Sequence, residues 1–331
     1  MTRRTALVLA ALGLALAAAF LWSLAAGAVA VPAPVIMNTL FGLDGPQQDF
    51  IINRSRLPRS LLALATGGAL ALSGAIIQAL LRNALASPKI IGINSGAALA
   101  VLTGTILAPD LALRWLPLVA MVGGLLAAGA IYALSALRPV SPARLVLVGI
   151  AVAMSCDAGV DFIMVTADAY DISAPLVWLT GSLWARGWPH LEAVWPALSV
   201  LALLCLALSF RLDLIRLGAA QATGLGMNVP LERLLLLTLA ALLASVSVSA
   251  VGVVGFIGLM APHIARRLVG GHHAALLPAA MLTGALLVLL ADAAGRALAP
   301  PIEVSAGILT AMLGAPFFVF ILLTSHTGTR E

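Results

Sequence analysis

Between Arg59 and Arg82 the chain runs for 22 residues, Ser60 to Leu81, without one charged side chain. A helix of roughly 20 apolar residues crosses the hydrocarbon core of a bilayer, so this run alone is long enough to span. The segment after Leu81 is not an ordinary loop. RNALASPKIIGINSGAALA (82–100) sets Asn83, Ser87, Pro88, Gly92, Asn94, Ser95 and Gly96 in a polar re-entry that feeds directly into another apolar stretch. Irregular backbone at membrane depth needs protein around it to satisfy its N–H and C=O groups. Such a chain folds around something that it lines.

Composition fixes the class. Of 331 residues, 62% are hydrophobic and 9% charged, against about 25% charged in soluble domains. The fold expected is all-α, a polytopic membrane protein occupying residues 1–331 as a single transmembrane domain. The net charge of +5 is carried by arginine, with Lys89 the only lysine. In such a chain that excess reports membrane orientation rather than nucleic-acid binding. Cys156 and Cys205 both lie in apolar runs and read as small core residues, not as a disulfide or metal pair. The start looks like a signal peptide, with Arg3 and Arg4 before an apolar stretch. Its apolar part, residues 6–31, is too long for a signal core and reads as a retained first span.

Ten apolar runs succeed one another, at about 6–31, 57–81, 90–108, 116–137, 142–165, 191–210, 231–251, 253–268, 275–299 and 305–324. Those at 90–108 and 253–268 are short and cross only if nearly upright or shielded. A further piece, about 173–185, is too short to span and reads as a half-helix at one membrane face. With the N-terminus inside, 12 basic residues, Arg138 and Arg330 among them, fall on the inner side and 6 on the outer. That predicts both termini inside. The two halves look weakly alike. A span capped by arginine leads through SGAIIQALLRNALASP in one half, and a span leads through SAVGVVGFIGLMAPHIARR in the other. If residues 57–165 and 231–324 are repeats, matching elements are five spans apart. An odd offset inverts their orientation, which makes an inverted repeat.

No GxxxxGK[ST] loop, HExxH or CxxC occurs, so the chain hydrolyses no nucleotide by the usual phosphate-cradling route and offers no metal motif. No acid–base–nucleophile cluster suggests an intramembrane enzyme, and no cofactor is expected. Asp157 and Asp161 share one face of the fifth run, as a solvated face or as a cation or proton site. They alone motivate an ion-coupled secondary transporter or a channel. RLDLIRLGAAQATGLGMNVPLER (211–233) is the longest hydrophilic stretch on the inner side. One short helix over 214–217 should end at Gly218 and a second over 219–225 at Gly226, with Pro230 opening the next span. This is a docking surface for a soluble partner or a plain amphipathic connector. Arg54, Arg56 and Arg59, with Arg296, collect at the outer mouth. They are fixed cations for an acidic partner or anionic ligand, or interfacial anchors. His272 and His273 read as a solvated inner loop.

The series RLPR (56–59), GALALSGAIIQ (68–78), RNALASP (82–88), GINSGA (92–97), GFIGLMAPHIARRLVGG (255–271), LLPAAMLTGALLVLLAD (276–292) and GAPFFVFIL (314–322) resembles the permease subunits of ATP-binding-cassette importers for iron-siderophores, haem and cobalamin. WLTGSLWARGW (178–188) is most similar to the ferric dicitrate permeases. The resemblance implies an importer permease carrying an iron chelate (ferric siderophore or ferric citrate), or alternatively haem or cobalamin, from periplasm to cytoplasm across a bacterial inner membrane. Its partners would be a second permease, two cytoplasmic ATPase subunits and a periplasmic binding protein. It assigns binding-protein docking to Arg56, Arg59 and Arg296. It puts the coupling helices at Leu212–Val229, with Leu214, Leu217, Gly218, Ala219, Ala220, Gly224 and Gly226. The outer gate would lie at Ser173–Trp184, with Ser173, Pro175, Trp178 and Trp184. One departure is Ala84, where the family has proline.

Overall fold

The computed structural model describes residues 2–27, 29–43, 45–108, 111–136, 142–166, 173–298, 300 and 302–325. Arg138 and Arg330 lie outside the described residues. The helices are α1 (Arg3–Ala25), α2 (Ala33–Leu40), α3 (Pro46–Asp49), α4 (Leu57–Leu81), α5 (Ile93–Leu107), α6 (Leu116–Ala136), α7 (Pro142–Thr166), α8 (Ser173–Leu179), α9 (Trp188–Ala207), α10 (Ser209–Leu217), α11 (Ala219–Gly224), α12 (Val229–Val251), α13 (Ile257–Val269), α14 (His273–Leu298) and α15 (Ala306–Ser325). A π-helical segment, Phe50–Arg56, leads into α4. No strand occurs among the described residues. The chain is an all-α polytopic membrane protein.

Each of the ten apolar runs is a helix. Among the described residues, seven helical stretches are long and apolar enough to cross unaided. The shorter apolar helices are α5 and α15, and α13 has only 13 residues. The count of ten is therefore approximate. The run expected from residue 253 becomes helical only at Ile257. Gly252 (φ +74°) and Phe256 (φ +65°) bound a non-helical segment whose backbone the surrounding helices enclose. Such backbone survives inside a membrane protein only where neighbours satisfy it.

The centre is α4, α12 and α14. The most apolar stretches of α4 and α12 are 83% and 78% buried, against 17% for α1 and 11% for α7. Helices in lipid gain little from excluding water between them, so close approach of backbones through small residues carries the packing. A Cβ on Gly74 of α4 would stand 1.9 Å from the carbonyl oxygen of Gly258 at the start of α13. Gly67 and Gly284 meet reciprocally, at 2.5 and 2.4 Å, where α4 crosses α14. Gly96 and Gly123 do the same between α5 and α6, at 2.8 and 2.4 Å. The Ser73 hydroxyl donates to the Ala240 carbonyl across the α4–α12 contact at 2.6 Å.

The turn after α4 explains Ala84. Arg82 takes the left-handed conformation (φ 49°), and the Asn83 side chain accepts from the Leu85 amide at 2.9 Å. The Ala86 amide then bonds back to the Asn83 carbonyl at 3.2 Å. An Asx turn of this kind reverses the chain without a proline.

Candidate functional site

Two charged assemblies occupy opposite ends of this bundle. The first gathers where α4 begins and α14 ends. Arg59 donates from Nε and one terminal nitrogen to Asp292, at 2.8–3.1 Å, and from the other terminal nitrogen to Glu303 at 2.8 Å. Arg296, four residues past Asp292 on α14, donates Nε to the same carboxylate at 3.1 Å. Its two terminal nitrogens reach the Ala26 and Ser23 carbonyls and the Ser23 hydroxyl, at 2.8–3.0 Å. Ser23 in turn bonds Ser60 at 2.8 Å. Arg56 donates to the carbonyls of Leu24, Ala25 and Val29 around the end of α1.

The three arginines expected at the outer mouth are thus brought together, but they do not stand free. All are buried, at 5–8% exposure, and Asp292 is 1% exposed. Desolvation of an unpaired charge costs several kcal/mol, so a guanidinium at this depth needs a full set of acceptors. Arg54 does stay out in solvent, next to Asp49 at 3.4 Å. Sequence reading missed Asp292, Glu303 and Ser23 as members of the assembly. A signal was present: Asp292 ends a charge-free stretch from residue 274 and stands four residues before Arg296, the spacing of an intrahelical ion pair.

The second assembly holds α10 and α11 at the other end. The Asp213 carboxylate accepts from the His273 amide at 3.1 Å and its Nδ1 at 2.7 Å, and lies 3.3 Å from His272 Nδ1. His273 is fully buried, so only His272 fits the solvated loop expected of both. Burial pulls the Asp213 pKa upward, and the hydrogen bonds from His273 and His272 outweigh it, leaving the carboxyl below its ordinary value. Arg216 donates to the Gly271 carbonyl, Arg211 pairs with Glu232, and Arg82 reaches the Ile215 carbonyl at 3.2 Å. The helix pair is therefore tied to α4, α12 and α14 together.

Helix α10 is longer than expected, starting at Ser209. Gly218 (φ +122°) turns the chain into α11, and Gly226 (φ +85°) turns it towards α12. Leu217, Ala219, Ala220, Gly224, Leu225 and Gly226 face outward, whereas Gly218 is buried and Leu214 packs against the core. Leu217 and Leu225 are 56% and 64% exposed.

Of the residues expected at an outer gate, the side chain of Ser173 lies outside those described. Trp178 is buried with Ala97, Val101 and Val248, and Pro175 lines a cavity of about 260 Å³ with it. The Gly307 amide donates to the Gly181 carbonyl at 2.8 Å, and Thr180 bonds Ser305 at 2.8 Å. Those bonds hold the end of α8 against the start of α15. Trp184, by contrast, is 55% exposed. Asp157 and Asp161 both face outward from α7, and among the described residues neither side chain has an ion pair or hydrogen bond. No group of three or more metal-ligating side chains occurs among the described residues.

Comparison with known proteins gives this arrangement its context. The Fe(3+)-citrate import system permease protein YfmE of Bacillus subtilis is 42% identical over 300 residues, covering 91% of this chain and 90% of that protein. The Fe(3+) dicitrate transport system permease protein FecD of Escherichia coli is 41% identical over 310 residues, covering 94% and 96%. A solved inward-facing ABC transporter assigned to the metal-chelate type superposes with a TM-score of 0.85 at 31% identity, over 96% of this chain and 99% of the other. Residues 15–324 match the FecCD transport family, and the chain belongs to that family.

Proposed function

We propose that the chain is the permease subunit of an ATP-binding-cassette importer that moves an iron chelate, ferric citrate or another ferric siderophore, into the cytoplasm. The observation that carries this reading is the similarity to ferric citrate permeases over more than nine-tenths of the chain. The geometry supports it. A helix pair with two outward leucines at one end suits a soluble ATPase subunit, and an arginine-rich mouth at the other suits an acidic periplasmic binding protein. The membrane is then the inner one, with both termini cytoplasmic, and a second permease completes the path. Exposed Asp157 and Asp161 support such a path, since carboxylates facing lipid tails are costly. Residues 57–165 and 231–324 form the inverted repeat. In both, a long helix passes through a left-handed residue, Gly92 or Phe256, into a short one.

In this scheme α8 closes the outer end, and closure of the ATPases pulls α10 and α11 to open the inner one. The docking arginines act through their surplus. Arg56, Arg59 and Arg296 set three positive charges against Asp292 and Glu303, leaving one net positive charge (3 − 2) for a partner carboxylate. Such pairing steers encounter and fixes register.

The test is uptake of radiolabelled ferric citrate by proteoliposomes holding the permease with its ATPase, with the binding protein outside. Uptake that needs ATP and binding protein together supports the reading. Uptake driven by a proton gradient without either would replace it by the ion-coupled transporter that Asp157 and Asp161 suggest.

A further inference from the structure

A cleft of about 460 Å³ lies at the membrane face where α1 begins and α13 ends, lined by Thr2, Arg4, Thr5, Arg266, Arg267 and Gly270. Neither the docking surface nor the coupling pair uses it. It holds three guanidinium groups, and no carboxylate lines it. Arg266 donates to Gln78 at 3.3 Å, and its Nε is buried with no hydrogen-bond partner. Among the described residues Arg267 reaches only His263, at 3.4 Å, and Arg4 has no ion pair or hydrogen bond from its side chain. Like charges gathered without a counter-ion repel one another, so the cluster favours an anion.

The surroundings say which anion. Directly above the cleft, α1 presents Arg4, Leu7, Leu14 and Leu21 on one face, and the three leucines are 63%, 74% and 53% exposed. Steps of three and seven residues keep them in a single stripe along the helix. A free phosphate would use the arginines and leave the stripe bare. A diacyl lipid would use both, with its headgroup in the cleft and a chain along the leucines. Basic pockets between membrane helices take anionic headgroups in this way.

We propose that this cleft binds the headgroup of an anionic phospholipid, with an acyl chain along the Leu7–Leu14–Leu21 stripe. The site rests on the membrane-spanning reading and not on the identity of the cargo. It gives the lipid a grip on α1 and α13 together. Through Arg266 and Gln78 the grip extends to α4.

The test uses the full-length permease purified with its ATPase partners in detergent. Phosphatidylglycerol and phosphatidylcholine are offered at equal concentration, and retained lipid is counted by native mass spectrometry. Phosphatidylglycerol should be retained preferentially. Arg4→Gln and Arg267→Gln should each lower its occupancy about fivefold, and Arg114→Gln, outside the cleft, should leave it unchanged. Inorganic phosphate at matched concentration should not displace it. Equal retention of both lipids, or full displacement by phosphate, overturns the proposal. If the variants fail to fold, a photoreactive phosphatidylglycerol on the unaltered complex decides. Labelling within residues 2–7 and 266–270 supports the site, and labelling only elsewhere rejects it. Loss of ATPase association with labelling intact would sink the permease reading and leave the lipid site standing.

Discussion

Arg59 and Glu303 are joined at 2.8 Å across 244 residues of sequence, and they differ in depth: the arginine side chain is 9% exposed and the glutamate 31%. The same guanidinium holds Asp292, which is 1% exposed, on its other edge. One carboxylate is locked in and the other can be exchanged with solvent. If Arg59 receives a carboxylate from a docking protein, as proposed, Glu303 is its competitor. Glu303→Gln should remove the competitor and tighten binding-protein association about threefold to tenfold at low salt, with the gain fading as ionic strength rises. Titration of the binding protein by surface plasmon resonance at two salt concentrations checks this. Weaker binding than the unaltered protein would show that Glu303 assists docking instead.

Asp292→Asn should behave in the opposite way. It leaves Arg59 and Arg296 buried with too few acceptors, and breaking a buried pair costs roughly 3–5 kcal/mol. The expected outcome is a lower thermal midpoint in detergent and poor membrane yield. Intact stability with lost docking would contradict it.

The glycine crossings give a steric prediction. Gly74→Val should disrupt the α4–α13 contact, because its first added atom meets the Gly258 backbone rather than a movable side chain. Overpacking costs about 1–3 kcal/mol where side chains yield, and a backbone yields less. Gly129→Val, on the open side of α6 with nothing within 4 Å of a Cβ, should be neutral. Thermal midpoints of the two variants, measured side by side, decide the matter.

At the other end, Leu217→Asp with Leu225→Asp should weaken ATPase association about tenfold or more. Each exposed leucine, if covered by the partner, contributes on the order of 1.5–3 kcal/mol. Assembly of the permease itself should be unaffected, since neither side chain packs inward. Co-purification of ATPase subunits reads the result, and unaltered recovery would remove these leucines from the contact.

The tie between Asp213 and His273 carries a pH signature. The folded pKa of Asp213 lies below its ordinary value, so its stabilisation is fully present above that value, near 4, and is lost as pH falls through the folded pKa. Asp213→Asn should lower the thermal midpoint at pH 7, by roughly 1.5–3 kcal/mol of stability for a charge-assisted hydrogen bond. The difference from the unaltered protein should shrink towards zero as pH falls through the folded pKa. A difference that grows on acidification would reverse the assignment.

The Ser60–Leu81 run was legible as a span because charge-free length is a local property, and apolar runs located the other helices in the same local way, though seven stretches among the described residues are long enough to cross. Gly218 and Gly226 were readable as breaks for the same reason, and both have positive φ. Leu214, expected among the coupling residues, packs against the core, which its position in the sequence does not reveal. Whether a short amphipathic helix turns one leucine in and the next out depends on its contacts with Arg82, Gly271 and His273, which bridge 55 to 133 residues of sequence.

The outer arginines separate the two kinds of information. Sequence alone determined that Arg56, Arg59 and Arg296 lie near one mouth of a helical membrane protein, because backbone hydrogen bonds in lipid must close within each helix. Only the tertiary structure decided that Arg59 is held by Asp292, 233 residues further on, and that Arg296 completes its shell on the end of α1. Which charges meet at a buried site is set by how helices cross. Those crossings depend on backbone contacts such as Gly67 with Gly284, which a one-dimensional pattern of apolar residues does not encode.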